Sequence, residues 1–446
     1  MPLSNPRTRL LAVIFPLVLL AGVSFAQQPA APPSTSLRLT LKEAVQLGLK
    51  QNPSAVIARL LAMESIQNRN VALSPLLPQA DIAADGAVKQ YNLLSVERLP
   101  KRQAAGPFQV IEAGPEFSQS LLSLPLLRGY QIGREGVREA RANEEASRED
   151  VVASVVAQYL LVLRALATYE AAQSRVALAQ RLYEQAAQLQ KTGIGLNIDT
   201  VRANVELQNE RQNLIDSETQ THTTKYVLAE LLDLPRDQEI DTVDHLDFFD
   251  LPSFDRDSLM ARALTARPEI RSIESQQRIA SLTTKSIGEE RWPELDFSGF
   301  WLYQGDRFNT GIPAYNYTLS LEFPIFTGGR IRAEEAHARL EQQHVDESRR
   351  QLEAQIVREV KSAIDELNAA RHAVDVANLG YQLANEEVAQ AQRRFAAGVT
   401  TNVEVITAQD ELARASDNQI EALYRFNQSR ADLAHSLGEI ENTYAK

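Results

Sequence analysis

Residues 193–199 read Gly193-Ile194-Gly195-Leu196-Asn197-Ile198-Asp199, and 205 positions later residues 398–404 read Gly398-Val399-Thr400-Thr401-Asn402-Val403-Glu404. The correspondence continues through Ala203 and Ala408 to Leu207 and Leu412. Self-similarity has to be settled before any local reading, because a missed repeat miscasts the whole fold. Two more anchors recur in the same order. Asn52-Pro53, Pro78 and Asp81 return as Arg267-Pro268, Pro293 and Asp296 at a spacing of 215, with Leu49 matching Leu264. Pro125-Leu126-Leu127-Arg128-Gly129 returns as Pro324-Ile325-Phe326-Thr327-Gly328 at 199. The loss of 16 residues between these two spacings falls in residues 93–114, whose Pro, Gly and charge predict a long exposed loop.

Between the anchors runs an apolar stripe. From Ile356 to Phe395, positions at alternating steps of four and three are apolar without a break, and the matching positions from Val151 to Gln190 are apolar except Gln158 and Gln190. Many are alanines, which let backbones approach closely and suit helices packed side by side in a wall. At ~1.5 Å per residue, helices over 130–191 and 330–396 reach roughly 93 and 100 Å. Shorter helices over 42–73 and 197–232, and over 256–291 and 402–440, would lie end to end against them. The expected organisation is a leader over 1–26, a first repeat over 27–232, an acidic connector over 233–255 and a second repeat over 256–446. Each repeat runs helix, two strands, long helix, tip, helix.

The predicted strands carry the membrane signal. Tyr315, Tyr317, Leu319, Leu321 and Phe323 alternate with Asn316, Thr318, Ser320 and Glu322, and Leu295 to Tyr303 reads similarly. Apolar-out, polar-in alternation over ~10 residues with aromatics near the ends is the pattern of an outer-membrane barrel. The first-half strands, over 80–91 and 115–125, are weaker and include Asp81, Asp85 and Gln119. Four strands cannot close a barrel whose known minimum is ~8, so the chain needs copies of itself.

The leader and the composition narrow the compartment. Arg7 and Arg9 precede an apolar run from Leu10 to Val23, and Ser24-Phe25-Ala26 supplies a small-x-small cleavage site, as in a removed signal peptide. No later stretch approaches the ~20 apolar residues of a spanning helix, so membrane passage would use strands. There is no cysteine, which excludes disulfides, thiolate metal sites and a cysteine nucleophile. Without the leader's two arginines the charge is 44 minus 58, or −14, against −12 for the whole chain, which argues against nucleic acid.

This order of elements, with the Asn-Pro of the first helix, the Pro-Leu-Leu-x-Gly and Pro-Ile-Phe-x-Gly strand exits and the paired glycine tips, resembles the TolC outer-membrane factor family over about 37–440. The resemblance implies a mainly α fold with a transmembrane β-barrel. In the assembly, a trimeric 12-stranded barrel would be continuous with a 12-helix periplasmic α-barrel, built from two structural repeats per chain. It implies a homotrimer in outer-membrane lipid, working with a periplasmic adaptor and an inner-membrane pump, proton-driven or ABC, as the exit duct of an efflux or type I secretion system. Without a cysteine, the family's lipid-anchored branch does not fit. An acidic lumen would favour cations.

The resemblance also places the tips at the periplasmic entrance, with Gly193, Leu196, Asn197, Gly398, Val399, Thr400 and Asn402 docking the adaptor. From the residues alone, each tip glycine is first a helix C-terminal cap with φ above zero. The family lines its entrance with acids just after the second tip glycine. Glu404 matches the first of these, whereas Thr407 stands where the second would be. Thr401-x-x-Glu404 also reads as a capping box, and Asp199 sits in a first turn where the helix dipole favours an acid. Capping and gating are both open for Glu404, and for Asp199 capping leads. Thr400 replaces the arginine that the family commonly carries there, which removes a charge lock.

No HExxH, GxSxG, Walker loop or GxGxxG occurs, and no catalytic, metal or cofactor residue is expected. His337 and His344 lie seven apart on one helix face, with no metal site expected of them, and Asp241, Asp244, Asp247 and Asp250 lack the glycine and glutamate of a calcium loop, so these acids read as a solvated connector. The alternative to a channel is a periplasmic coiled-coil scaffold or adaptor without a barrel.

Overall fold

The computed structural model describes residues 36–92, 104–249, 255–307 and 309–445. The expected leader, residues 93–103 of the expected loop, and Asp250 lie outside them. A short strand β1 (Leu37–Leu39) leads into helices α1 (Leu41–Gln51) and α2 (Pro53–Leu73), then strands β2 (Gln79–Asn92) and β3 (Ala104–Leu122). The long α3 (Leu124–Lys191) turns into α4 (Asn197–Leu231) and a strand β4 (Ile240–Thr242). Helices α5 (Arg256–Ala266) and α6 (Pro268–Glu289), strands β5 (Glu294–Gly305) and β6 (Ile312–Glu322), the long α7 (Arg330–Ala396), α8 (Asn402–Ser436) and α9 (Ile440–Tyr444) complete it.

The long helices have 68 and 67 residues, roughly 100 Å each, and shorter helices lie along them. One end of α3 lies against α2, where Gly133 meets Arg69. The other runs beside α4, with Gln158 Nε2 donating to the Thr224 carbonyl at 2.9 Å and Gln190 Nε2 to Asn197 Oδ1 at 3.0 Å. The heptad stripe is the buried seam. Ile356, Val360, Leu367, Val374 and Val388 are buried on α7, and Val151, Val155, Val162 and Ala172 on α3.

Both predicted short helices of the strand-preceding type are broken in two. Asn52 and Arg267 have ψ of 127° and 130°, outside the helical well, because the proline ring that follows each excludes the helical conformation. Each break is tied to a neighbour. Asn52 Oδ1 accepts from Ser54 N and its Nδ2 donates to the Leu231 carbonyl, both at 2.8 Å, while the buried Arg267 guanidinium pairs with Glu269 and Glu359.

The connector is less solvated than its acids suggest. Ile240–Thr242 pairs in parallel with Leu37–Leu39, and Lys225 holds Asp241 at 3.1 Å. Asp244 Oδ2 accepts from Leu41 N at 2.7 Å and lies 2.8 Å from the Tyr159 hydroxyl. Around this point Val45, Val152, Val155, Val156, Leu228 and Leu232 form a core with no exposed surface. That core also corrects the expectation that no later segment is apolar enough to span a membrane. Part of α3 is long and apolar enough, and half of that part is buried inside the molecule.

The sheet runs β2-β3-β5-β6, antiparallel throughout. The predicted loop is largely strand where described, since β3 starts at Ala104 and pairs along β2 from Asn92 to Gln79. Backbone groups that would otherwise be unpaired gain a ladder, which outweighs the turn-rich composition. Pro125-Leu126-Leu127-Arg128-Gly129 follows the end of β3 at Leu122, as a strand exit should, but it is not irregular. It forms the first turns of α3, capped by Ser123, whereas the matching Pro324 segment stays irregular up to Gly328 and Gly329, both with positive φ. On one face Phe117, Gly299 and Tyr317 form a row across three strands, with the Phe117 and Tyr317 ring centroids 5.8 Å apart. Tyr315, Tyr317, Leu319, Leu321 and Phe323 are all exposed. Where helices meet sheet, Arg128 pairs with Glu289, Arg330 with Glu290 and Arg291 with Glu335.

Near the connector, α8 is pinned to α3. His435 Nε2 lies 3.0 Å from Asp150 Oδ1, and that hydrogen bond raises the imidazole above its ordinary range against the effect of burial, with Arg267 and Glu149 nearby. A raised folded-state value means the contact stabilises fully below about 6.5, the unfolded value, and is lost as pH rises through the folded one. The loss of melting temperature caused by His435→Gln is therefore expected to be larger at pH 5.5 than at pH 8.5. Equal losses at the two values would show that the pair does not titrate with folding.

Candidate functional site at the helical tips

Both tips end in the same turn. At the first, Gly193 (φ 77°) lets Ile194 N and Gly195 N reach back to the Leu189 carbonyl at 3.1 and 2.9 Å. At the second, Gly398 (φ 71°) lets Val399 N reach the Arg394 carbonyl at 3.0 Å. Space is open around both glycines, so the requirement is the left-handed backbone and not room. Beneath the turns, Leu182, Ala186, Ala203, Val388, Phe395 and Val405 form one cluster shared by α3, α4, α7 and α8. The two hairpins are therefore packed together at their tips.

The site residues separate by burial. Leu196 and Val399 are exposed, 64% and 70%, and Asn197 and Thr407 also face outward. Ile194, which sequence reasoning passed over, is 80% exposed and joins them in an apolar crest. Asn402, expected among the docking residues, is fully buried, and its Nδ2 donates to the Asp199 carbonyl at 2.7 Å, tying one tip to the other. Its Oδ1 is buried without a partner. The Asp199 carboxylate lies 3.8 Å from Arg202 on its own helix.

Glu404 does not close a capping box. Thr401 is the N-cap of α8 but makes no side-chain cap. Instead, Arg394 Nε donates to Glu404 Oε1 at 3.0 Å and Thr400 Oγ1 donates to Oε2. The ion pair wins because a cation in the last turn of α7 and an acid in the first turn of α8 each suit their helix dipole and face across the turn. That placement of Arg394 was the available signal, overlooked in favour of the nearer Thr401. Farther from the tips, a cavity of about 350 Å³ is lined by Arg175 of α3, Glu206 and Glu210 of α4 and Gln409 of α8. Burial first, and then the charges of Asp410 and Glu210, raise the Glu206 carboxyl. Among the described residues no group of three or more His, Asp or Glu side chains is placed to hold a metal.

A four-stranded antiparallel sheet standing on helices roughly 100 Å long is a fold shared with solved outer-membrane channels. Comparison with known proteins makes the resemblance specific. The family model described as Outer membrane efflux protein matches residues 259–439. The Pseudomonas putida pyoverdine export outer membrane protein OpmQ is 25% identical over 394 residues, covering 82% of this chain and 78% of that protein. Vibrio cholerae outer membrane protein TolC is 21% identical, with 82% and 83% covered. The Campylobacter jejuni CmeC outer membrane channel has the same fold, with a TM-score of 0.78 at 17% identity over 90% of this chain and 86% of that one. The chain thus resembles TolC-type outer-membrane efflux proteins in sequence and fold, and these are outer-membrane proteins with a large periplasmic helical part.

Proposed function

We propose that three copies of this chain form a passive exit duct, its sheets joined in a 12-stranded barrel and its helices in a periplasmic tunnel. The observation that carries this is the pair of sheet edges. Among the described residues β2 and β6 each pair on one side, and lipid offers no hydrogen bonds to an open edge. The β6 edge of one copy therefore meets the β2 edge of the next. Two copies would make eight strands, a barrel that side chains fill, whereas three leave a passage. The two repeats over 27–232 and 256–446 would then alternate around the wall, joined by the connector over 233–255.

In this assembly the exposed Ile194, Leu196 and Val399 crest is where a periplasmic adaptor docks, and an inner-membrane pump, proton-driven or ABC, supplies the cargo. Glu404 lines the entrance beside Thr407 and Asp199. Protein extracted from outer membranes in mild detergent is expected to run unheated at about three times its boiled mass and to conduct ions in planar bilayers. An unheated monomer that does not conduct would overturn the proposal.

A further inference from the structure

We propose that Arg394 is a selectivity-determining residue of the entrance, because it pairs with Glu404 and withholds that carboxylate's negative field from the passage. This rests on the reading of the tips as an entrance. Both Glu404 oxygens are engaged, one by Arg394 Nε at 3.0 Å and the other by the Thr400 hydroxyl, so the carboxylate is turned toward the end of α7. Neither partner is deeply buried, with the Arg394 and Glu404 side chains 58% and 39% exposed, so the pair stands at the surface of the tip.

A carboxylate paired at hydrogen-bond distance presents a dipole, whose field falls off faster than that of a bare charge. At physiological salt a bare charge is felt over about 8 Å, enough to act across a narrow entrance. The first tip lacks this arrangement. Leu189 occupies the position matching Arg394, and Asp199 pairs weakly along its own helix. The two tips thus present their acids differently although their sequences correspond, and Arg394 makes the difference. Arg393, also in the last turn of α7, carries the same charge one position away.

The test is the K+/Cl− permeability ratio of the full channel in planar bilayers under a salt gradient. Arg394→Gln is expected to raise the ratio by about twofold or more. Arg393→Gln should raise it less, Arg394→Lys should leave it near wild type, and Glu404→Gln should lower it. The Arg394→Gln effect should also shrink when Glu404 is already Gln. If the two arginine variants act equally, or Arg394→Gln acts equally in both backgrounds, Arg394 is only a local positive charge and the masking proposal fails while the entrance stands. If Glu404→Gln leaves the ratio unchanged, Glu404 does not line the passage and the entrance reading fails as well.

Discussion

Replacing Gly114 by valine is expected to abolish assembly of the proposed barrel while leaving the long helices folded. Gly114 lies in β3, paired with Ala83 of β2 on one side and pressed against β5 on the other. A β-carbon there would stand 2.3 Å from the Trp301 carbonyl oxygen and 2.9 Å from the Leu302 Cα. Both are backbone atoms, so no rotamer change relieves the contact and β5 has to move off β3. Overpacking in a core that can adjust costs about 1–3 kcal/mol, and a clash with a ladder that cannot adjust costs more. Gly86, in β2 of the same sheet, has nothing within 4 Å of its would-be β-carbon and provides the control. Gly114→Val should yield no heat-modifiable oligomer with a near-normal far-UV helical signal, while Gly86→Val assembles. Assembly of both would mean that the strands are not as close as described.

The second large effect is expected at Tyr159. Its ring is fully buried in the core where α3 meets α1, α4 and the β1–β4 pair, and its hydroxyl lies 2.9 Å from the Leu39 carbonyl and 2.8 Å from Asp244 Oδ2. Burial, and then the Asp244 carboxylate, push the phenol well above the ordinary tyrosine range, so it keeps its proton as a donor. Tyr159→Ala removes both the packing and the donor, a loss of about 3–5 kcal/mol. Tyr159→Phe keeps the ring and should cost about 1.5–3 kcal/mol, the scale of a hydrogen bond to a charged group. Denaturant unfolding of the detergent-solubilised protein measures both. A phenylalanine variant as unstable as alanine would assign the whole effect to the hydroxyl, and a silent alanine would remove Tyr159 from the core.

Several of these features stood in the sequence. The glycines of the tips were readable because a helix that must reverse needs a left-handed residue, and the seam because apolar spacing of 3.5 residues has few other solutions. Others were not readable for identifiable reasons. β1 and β4 are three residues each, too short for alternation to register, and their pairing joins residues 203 positions apart. The helix breaks at Asn52 and Arg267 sat in plain view before proline. The partners that tie down the buried Asn52 and Arg267 at these breaks nonetheless come from distant elements, out of reach of any local reading.

At the tips the division is sharper. The sequence by itself determined where the chain turns, which residues lie there, and that four strands cannot close alone, because backbone conformation, apolar period and strand number are local or countable properties. Only the tertiary structure decided that Asn402 is an internal tie and that Glu404 answers to Arg394 and Thr400 instead of Thr401. A motif states which bonds a side chain can make, and the competition among partners is settled by which of them the packed helices bring within about 3 Å.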